Sequence, residues 1–275
     1  MFFNILIPLC IISFIIILLI IRNIIKKQIN SPFLTMGTAH WIGDREEQED
    51  SFSMIENESG FMAVLADGMG GISSGKLASE FAVHSFLEEF TRNYYIKAIN
   101  DFLINTTHIC NYNLLKMAAG ENMGTTLIAV LIKDNYLHWV SVGDSQIYLY
   151  SNKHIHSLNS RHTYALTLNE AYKNGEISRE KAFNHPRRGR LISYLGYKDF
   201  HLLDYSKSPI FLNKNDKIIL CSDGIYNNLT DYEFEMILSE RNKPEKDAEN
   251  IMFRVKDKNV NNQDNATVIV LERNR

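Results

Sequence analysis

"FMAVLADGMGG", residues 61–71, sets an unbroken apolar run against a single carboxylate and a cluster of glycines. The run "FMAVLA" reads as a firmly buried strand. Asp67-Gly68 is also the favoured pair for a tight turn between two strands. Gly70 and Gly71 prolong the glycine-rich stretch beyond any two-residue turn, so a hairpin alone does not account for it.

The pairing of a buried strand with a terminal carboxylate recurs along the chain. Asp223-Gly224 follows the apolar run "KIILC", and Asp144 lies in "VSVGDSQ" between two strands. Asp264 in "NNQDNATVIV" stands just before the last strand, and "GDREEQEDSF" holds Arg45, Glu49 and Asp50 ahead of the first strand signals. Taken singly, each is a turn residue, a cap or a solvated charge. Strand ends that converge at one sheet edge would gather these carboxylates, and carboxylates that close call for a cation. Oxygen ligands without clustered His or Cys favour Mg²⁺ or Mn²⁺. The nine histidines show no HExxH-type spacing.

Around these points the sequence alternates helical and strand-like segments. "SGKLASEFAVHSFLEEF" has helical period, with Leu77, Phe81, Ala82, Phe86 and Phe90 at i,i+4 spacings. In "YYIKAINDFLINTTHICNYNLLKMAA" the spacing places Ile99, Phe102, Thr106, Ile109, Asn113 and Met117 on one face, and Gly120 ends the helix. "TTLIAVLI", "YLHWVSV", "QIYLY" and "HIHSL", joined by "KDN", "GDS" and "SNK", predict an antiparallel meander. Residues 159–190 lose this pattern and are polar, basic and partly helical. Helices around "DYEFEMIL" and "PEKDAENIMFRV" precede the closing strand "NATVIVLE". Long helices beside antiparallel strands predict an α+β layered sandwich.

Composition excludes several classes. The 275 residues are 45% apolar and 22% charged, ordinary for a globular chain. A net charge of -3 offers no broad nucleic-acid surface. Cys10, Cys110 and Cys221 are too few and too scattered for a disulfide framework or a zinc site, which points to a reducing compartment.

The N-terminus differs from the rest. From Phe2 to Ile21 there is no charge, matching the ~20 apolar residues that span a bilayer as a helix. No Lys or Arg precedes the run, as it would in a signal peptide, and bulky residues continue to its end. Arg22, Lys26 and Lys27 follow, so this end is expected to face the cytoplasm. The expected organisation is a membrane anchor over residues 1–21, a juxtamembrane linker over 22–35 and a cytoplasmic domain over 36–275.

"REEQED", "ADGMGG", "MGTT", "VGDS", "HPRRGRLISYLG", "CSDG" and "QDNAT" occur in the order found in the metal-dependent, type 2C serine/threonine protein phosphatases. The chain resembles that family over residues 37–272, and Met69 and the "HPRR" segment resemble its bacterial members. The resemblance implies a four-layer α-β-β-α sandwich with two central antiparallel sheets and a centre of two Mn²⁺ or Mg²⁺ ions, with a third position. Asp67 would bridge the two ions and the Gly68 carbonyl would bind one. Asp223 and Asp264 would ligate the other, and Asp144 with Asp223 would offer the third position. Glu49 and Asp50 would hold metal-bound waters, and Arg45 would grip the phosphate with its guanidinium fork. The implied reaction is attack by metal-activated hydroxide on phosphoserine or phosphothreonine in proteins. Phosphorylated proteins are then the partners, with a serine/threonine kinase opposing the enzyme.

Several residues depart from the family pattern. Gln146 follows "GDS" where many relatives have Arg, and "RHT" (Arg161, His162, Thr163) replaces "DHS". Met69 stands where animal relatives have a proton-donating His, so a metal-bound water is expected to protonate the leaving oxygen, with His162 the rival donor. Residues 163–190 match the family's flap, whose Arg187, Arg188 and Arg190 could meet acidic phosphopeptides or remain solvated charges. A different class of reading is a catalytically silent module that binds phosphorylated partners; the presence of Asp67, Asp223 and Asp264 weighs against it. A calcium-binding structural domain would want a D-x-[DN]-x-[DN]-G loop, which is absent.

Overall fold

The computed structural model describes residues 33–274, apart from residues 71–73, 94 and 199. Strands β1 (Leu34–Trp41), β2 (Asp50–Asn57) and β3 (Gly60–Gly70) precede helices α1 (Ser74–Arg92) and α2 (Ile99–Ala118). The meander follows as β4 (Met123–Thr125), β5 (Leu127–Lys133), β6 (Tyr136–Val142), β7 (Gln146–Ser151) and β8 (His154–Ser157). Then come α3 (Tyr164–Lys173), α4 (Arg179–Phe183), β9 (Asp204–Tyr205), β10 (Ile210–Phe211) and β11 (Lys217–Cys221). Helices α5 (Asp223–Tyr226), α6 (Asp231–Ser239) and α7 (Pro244–Asp257) lead to β12 (Ala266–Arg273).

The strands form two antiparallel sheets. One has the order β1-β12-β11-β7-β8, and the other β10-β6-β5-β3-β2 with β4 and β9 attached to β3 and β6. Side chains alternate between two apolar layers, which explains the unbroken run in β3. Phe61, Ala63 and Leu65 face the opposite sheet, with Ile128, Ile218 and Ile269. Met62, Val64 and Ala66 face Phe86 and Phe90 of α1 and Leu103 and Leu114 of α2. On the far side Val268 and Val270 of β12 pack against Phe234 of α6 and Ile251 of α7. Strands buried on both faces carry apolar residues throughout, and the result is the expected α-β-β-α sandwich.

The expected turns "KDN" and "SNK" are two-residue turns with both central residues left-handed: Asp134 and Asn135 (φ 50° and 70°), then Asn152 and Lys153 (φ 53° and 70°). That geometry matches the twist of the strands it joins.

Three expectations are corrected. β1 begins at Leu34, inside the stretch 22–35 read as linker, so Arg45 and Glu49 follow the first strand rather than precede it, and Asp50 opens the second. As the edge strand of its sheet, β1 buries only Leu34 and Gly37, so it carries little apolar signal. The buried face of α2 is also rotated from the expected one. Leu103, Thr106, Cys110 and Leu114 point inward, while Ile109 and Met117 are exposed. Finally, Asp67-Gly68 is no turn, because β3 runs through it and pairs Gly68 with Thr125 and Gly70 with Met123.

Among the described residues no helix is long and apolar enough to cross a membrane. The expected anchor, residues 1–21, lies outside the described residues.

Antiparallel pairing gives the sandwich two distinct ends. The loop 42–49, the last residues of β3, the β6–β7 turn and the residues just before β12 lie at one end. Phe33 and the turns at 58–59, 134–135 and 152–153 lie at the other.

Candidate active site

Each expected site residue sits at the first of these ends, and most line one cleft of about 1100 Å³. Its walls include Arg45, Glu49, Asp67, Gly68, Asp144, Asp223 and Asp264. Asp50 lies just behind them, buried, and directly opposite Asp67 in the β2–β3 register.

The backbone of Asp67 is fixed from β4 and its continuation. Its N–H donates to Thr126 Oγ1 (3.0 Å), and its carbonyl accepts from the Thr126 N–H (2.8 Å) and from Thr125 Oγ1 (2.9 Å). The motif "MGTT" thus clamps the carboxylate-bearing strand. Gly68 is required for a reason the sequence did not show. A Cβ there would lie 2.1 Å from the Gly75 carbonyl oxygen and 2.8 Å from that of Glu49. Close packing of the start of α1 against β3 excludes a side chain, whatever the carbonyl binds.

Asn265 fastens the loop 42–49. Its Nδ2 donates to the carbonyls of Ile42 (2.8 Å) and Glu47 (3.0 Å), and its Oδ1 accepts from the Glu49 N–H (2.7 Å). Asp223 opens the short helix α5 directly after β11. Asp144 follows Gly143, whose φ of 97° turns the chain between β6 and β7.

Burial and mutual repulsion dominate the electrostatics. The Asp67 carboxyl is pushed well above the usual carboxylate range, by burial first and then by Asp50, Asp223, Asp144 and Asp264. Burial pushes Asp223 up to about 7, with Asp144 and Asp264 adding to it and Arg45 opposing. Asp50 is raised to about 6 by burial, partly offset by the Ser222 hydroxyl that donates to its Oδ2 at 2.8 Å. The remaining oxygens, Asp50 Oδ1 and Asp223 Oδ1, are buried without a hydrogen-bond partner.

These features fit a hard divalent cation. Orphaned carboxylate oxygens, and like charges opposed across a strand pair, are the conditions a cation relieves. Among the described residues no three His, Cys, Asp or Glu side chains already form a ligating cluster. Arg45 does not point at an open phosphate position; its Nη2 is paired to Asp264 Oδ2 at 2.6 Å. Both side chains are partly exposed, so the pair is weak and exchangeable.

The segment 163–190 does wall the cleft, through Tyr164, His185, Arg187 and Arg190. Arg188 faces away, donating to the Ala182 carbonyl and to Asn169 Oδ1 and stacking on Phe183. His162 is buried and its Nδ1 accepts from the Gly143 N–H at 3.1 Å, supporting the Asp144 turn from behind. Arg161 stacks on Tyr226, 5.0 Å from the ring centroid, and its charge opposes the upward shift of Asp144.

A profile described as protein phosphatase 2C matches residues 36–255. The chain belongs to the protein phosphatase 2C family. It is 32% identical over 238 residues to the serine/threonine phosphatase stp of Listeria innocua, covering 84% of this chain and 92% of that one. Protein phosphatase PhpP of Streptococcus pneumoniae is 29% identical, with 84% and 93% covered. Among solved structures, the serine/threonine phosphatase Stp1 of Staphylococcus aureus superposes with a TM-score of 0.76 at 26% identity, covering 88% and 96%. The catalytic domain of PstP, solved with two manganese ions, gives 0.69 at 25%, covering 87% and 97%.

Within this protein phosphatase 2C domain, sequence reasoning missed Thr126, Asn265, Tyr164 and His185. The first two lie inside quoted motifs, but their role is backbone support, which no pattern of charge reveals. His185 lines the cleft with its ring edge against Tyr164, centroids 5.2 Å apart. It stands in "HPRR", where the arginines drew attention instead.

Proposed function

We propose that the chain is a membrane-anchored, metal-dependent phosphatase that removes phosphate from phosphoserine and phosphothreonine in proteins. The convergence of Asp67, Asp144, Asp223 and Asp264 with Arg45 in one cleft carries the reading. The names of the relatives, and the two manganese ions of the PstP structure, support it.

Asp67, the Gly68 carbonyl, Asp223, Asp264 and Asp144 would hold two ions and a third position, with Glu49 and Asp50 orienting their waters. Bound divalent ions supply charge neutralisation for the phosphoryl group and activation of water at neutral pH. Arg45 exchanges Asp264 for the phosphate oxygens, presenting the paired donors that suit them. The clamp by Thr125 and Thr126 keeps Asp67 from moving as charge shifts during reaction. Met69 cannot donate a proton, and buried His162 is committed to the Gly143 turn. A kinase that phosphorylates the same proteins is implied by such an activity.

The membrane part of the proposal rests on the uncharged run Phe2–Ile21 and on Arg22, Lys26 and Lys27 after it. Release of phosphate from phosphoserine and phosphothreonine peptides, with Mn²⁺ and with chelator, tests the activity; full activity in chelator would sink the metal mechanism. Sedimentation with membranes, and resistance to protease added outside intact cells, tests the topology. A mature chain that begins beyond Ile21 would sink the anchor.

A further inference from the structure

The two walls of the cleft differ in charge. Glu49, Asp67, Asp144, Asp223 and Asp264 come from the sheet ends, while Arg187 and Arg190 come from the segment 185–197. From Lys181 to Lys198 the chain contains no Asp or Glu. The exposed carboxylates nearest in sequence, Glu170, Glu176 and Glu180, belong to α3, α4 and the link between them, and none lines the cleft. Asp44, Glu46 and Glu47 are exposed in the loop 42–49, on the carboxylate side with Arg45.

The other arginines around the cleft are committed. Arg45 pairs with Asp264, Arg161 stacks on Tyr226, and Arg188 donates to the Ala182 carbonyl and to Asn169. Arg187 and Arg190 are exposed, and among the described residues their side chains form no ion pair, hydrogen bond or ring contact.

Their backbone, by contrast, is braced. Two successive turns close from the Arg188 N–H to the His185 carbonyl and from the Arg190 N–H to the Arg187 carbonyl, both at 3.0 Å. Pro186 occupies the second position of the first turn, which its fixed φ suits. At the start of α3 the Tyr164 and Ala165 N–H groups donate to the carbonyls of Arg190 (2.8 Å) and Arg188 (2.9 Å). Farther along, Leu195 exchanges both backbone hydrogen bonds with Thr125 of β4, at 3.0 and 2.9 Å. The Tyr194 ring covers Gly124, where a Cβ would lie 2.7 Å from it. Since β4 pairs with the end of β3, the arginine-bearing turn is tied to the strand that carries Asp67 and Gly68.

We infer that Arg187 and Arg190 form a subsite for a second anionic group of the substrate, a carboxylate or a further phosphate close in sequence to the phosphoserine or phosphothreonine. The inference rests on the phosphatase reading and names its substrate class: acidic or multiply phosphorylated segments. The reacting phosphate belongs with the carboxylate wall and the cations it would hold, which leaves the arginine wall to a flanking anion. A guanidinium offers paired donors to either kind of anion. A turn already ordered before binding also loses little freedom when the anion arrives. Contacts remote from phosphorus are made in ground state and transition state alike, so they act on KM.

The test measures phosphate release, with Mn²⁺, from one phosphothreonine peptide in several forms. Its neighbours are Ala, Asp, Lys, or Ala with a non-hydrolysable phosphonate analogue of phosphoserine. The Asp form, the phosphonate form or both should show a KM about fivefold below that of the Ala form at similar kcat, as two exposed ion pairs allow. Which form gains identifies the flanking anion as carboxylate or phosphate, and added salt should shrink the gain. In Arg187→Ala/Arg190→Ala the gain should vanish, and Arg187→Glu/Arg190→Glu should favour the Lys form instead. Both side chains are exposed and unpaired, so the exchanges spare the fold. Equal KM for all forms in the parent, or a gain that survives either double substitution, would overturn the inference. So would a fall in kcat shared by every peptide and by a small aryl phosphate, which would put the arginines on the reacting phosphate. Absence of release from every form, with metal present, would remove the phosphatase reading itself.

Discussion

Asp50 and Asp67 face each other across β2 and β3, a pairing of like charges that destabilises an ordinary sheet. Exchange of either for a neutral isostere separates function from stability. Asp67→Asn should lower turnover by at least ~10²-fold, since a positioned metal contributes several kcal/mol to the transition state. In chelator the same variant should melt higher than the parent, because the burial and the repulsion that raise the Asp67 pKa no longer act on a charge. A variant that loses activity and also melts lower in chelator would show Asp67 to be a structural residue. Arg45 belongs to the same scale. Its partner in the structure is Asp264, and exchange onto phosphate would place it in ground state and transition state alike. Arg45→Ala should therefore raise KM more than it lowers kcat, and Arg45→Lys should restore little, lacking the two-pronged donor. An unchanged KM in Arg45→Ala would remove it from the phosphate site.

Strand β3 and helix α1 are held together at Gly68, where the Gly75 backbone leaves no room for a methyl group. Gly68→Ala should destabilise by about 3 kcal/mol or more, measured in denaturant, because backbone and not a flexible side chain stands in the way. A loss of activity at parental stability would instead point to the carbonyl alone. Helix α6 gives a cleaner electrostatic case. Thr230 and Glu233 form a reciprocal cap, and Lys258 and Arg254 approach the Glu233 carboxylate at 2.7 and 3.0 Å. The Lys258 hydrogen bond, foremost, lowers the Glu233 pKa from 4.5 to about 2. A lowered carboxylate pKa stabilises the fold above 4.5, and that contribution is lost as pH falls towards 2. Glu233→Gln should lose about 1 kcal/mol at pH 7, a difference that salt reduces and that shrinks on acidification below 4.5. A difference that stays constant with pH would mean packing, not charge.

At the scale of the whole molecule, the layers were legible because buried strands and amphipathic helices write their burial into apolar period. Edge strand β1 was not, since it buries almost nothing, and the inward face of α2 was misplaced because Cys110 and Leu114 line it where Ile109 and Met117 were expected. The carboxylates at strand ends were legible as a set. The Arg45–Asp264 pair, the Thr126 clamp and the Asn265 staple were not, because they depend on residues far apart in the chain meeting in space. That same distance yields the last prediction. Asp67 comes from one sheet, while Asp223 and Asp264 flank strands of the other, so an ion held among them ties the two sheets together. Binding only to the folded state at one hundred times the dissociation constant adds about 2.7 kcal/mol. For a domain of this size, that corresponds to a rise of about 5–11 °C in Tm. Scanning calorimetry with Mn²⁺ and with chelator should show one transition that moves as a whole. Asp223→Asn should abolish most of the rise without abolishing the transition itself. A Tm indifferent to Mn²⁺ in the parent chain would mean that the carboxylates at the sheet ends hold no ion, whatever their resemblance to those that do.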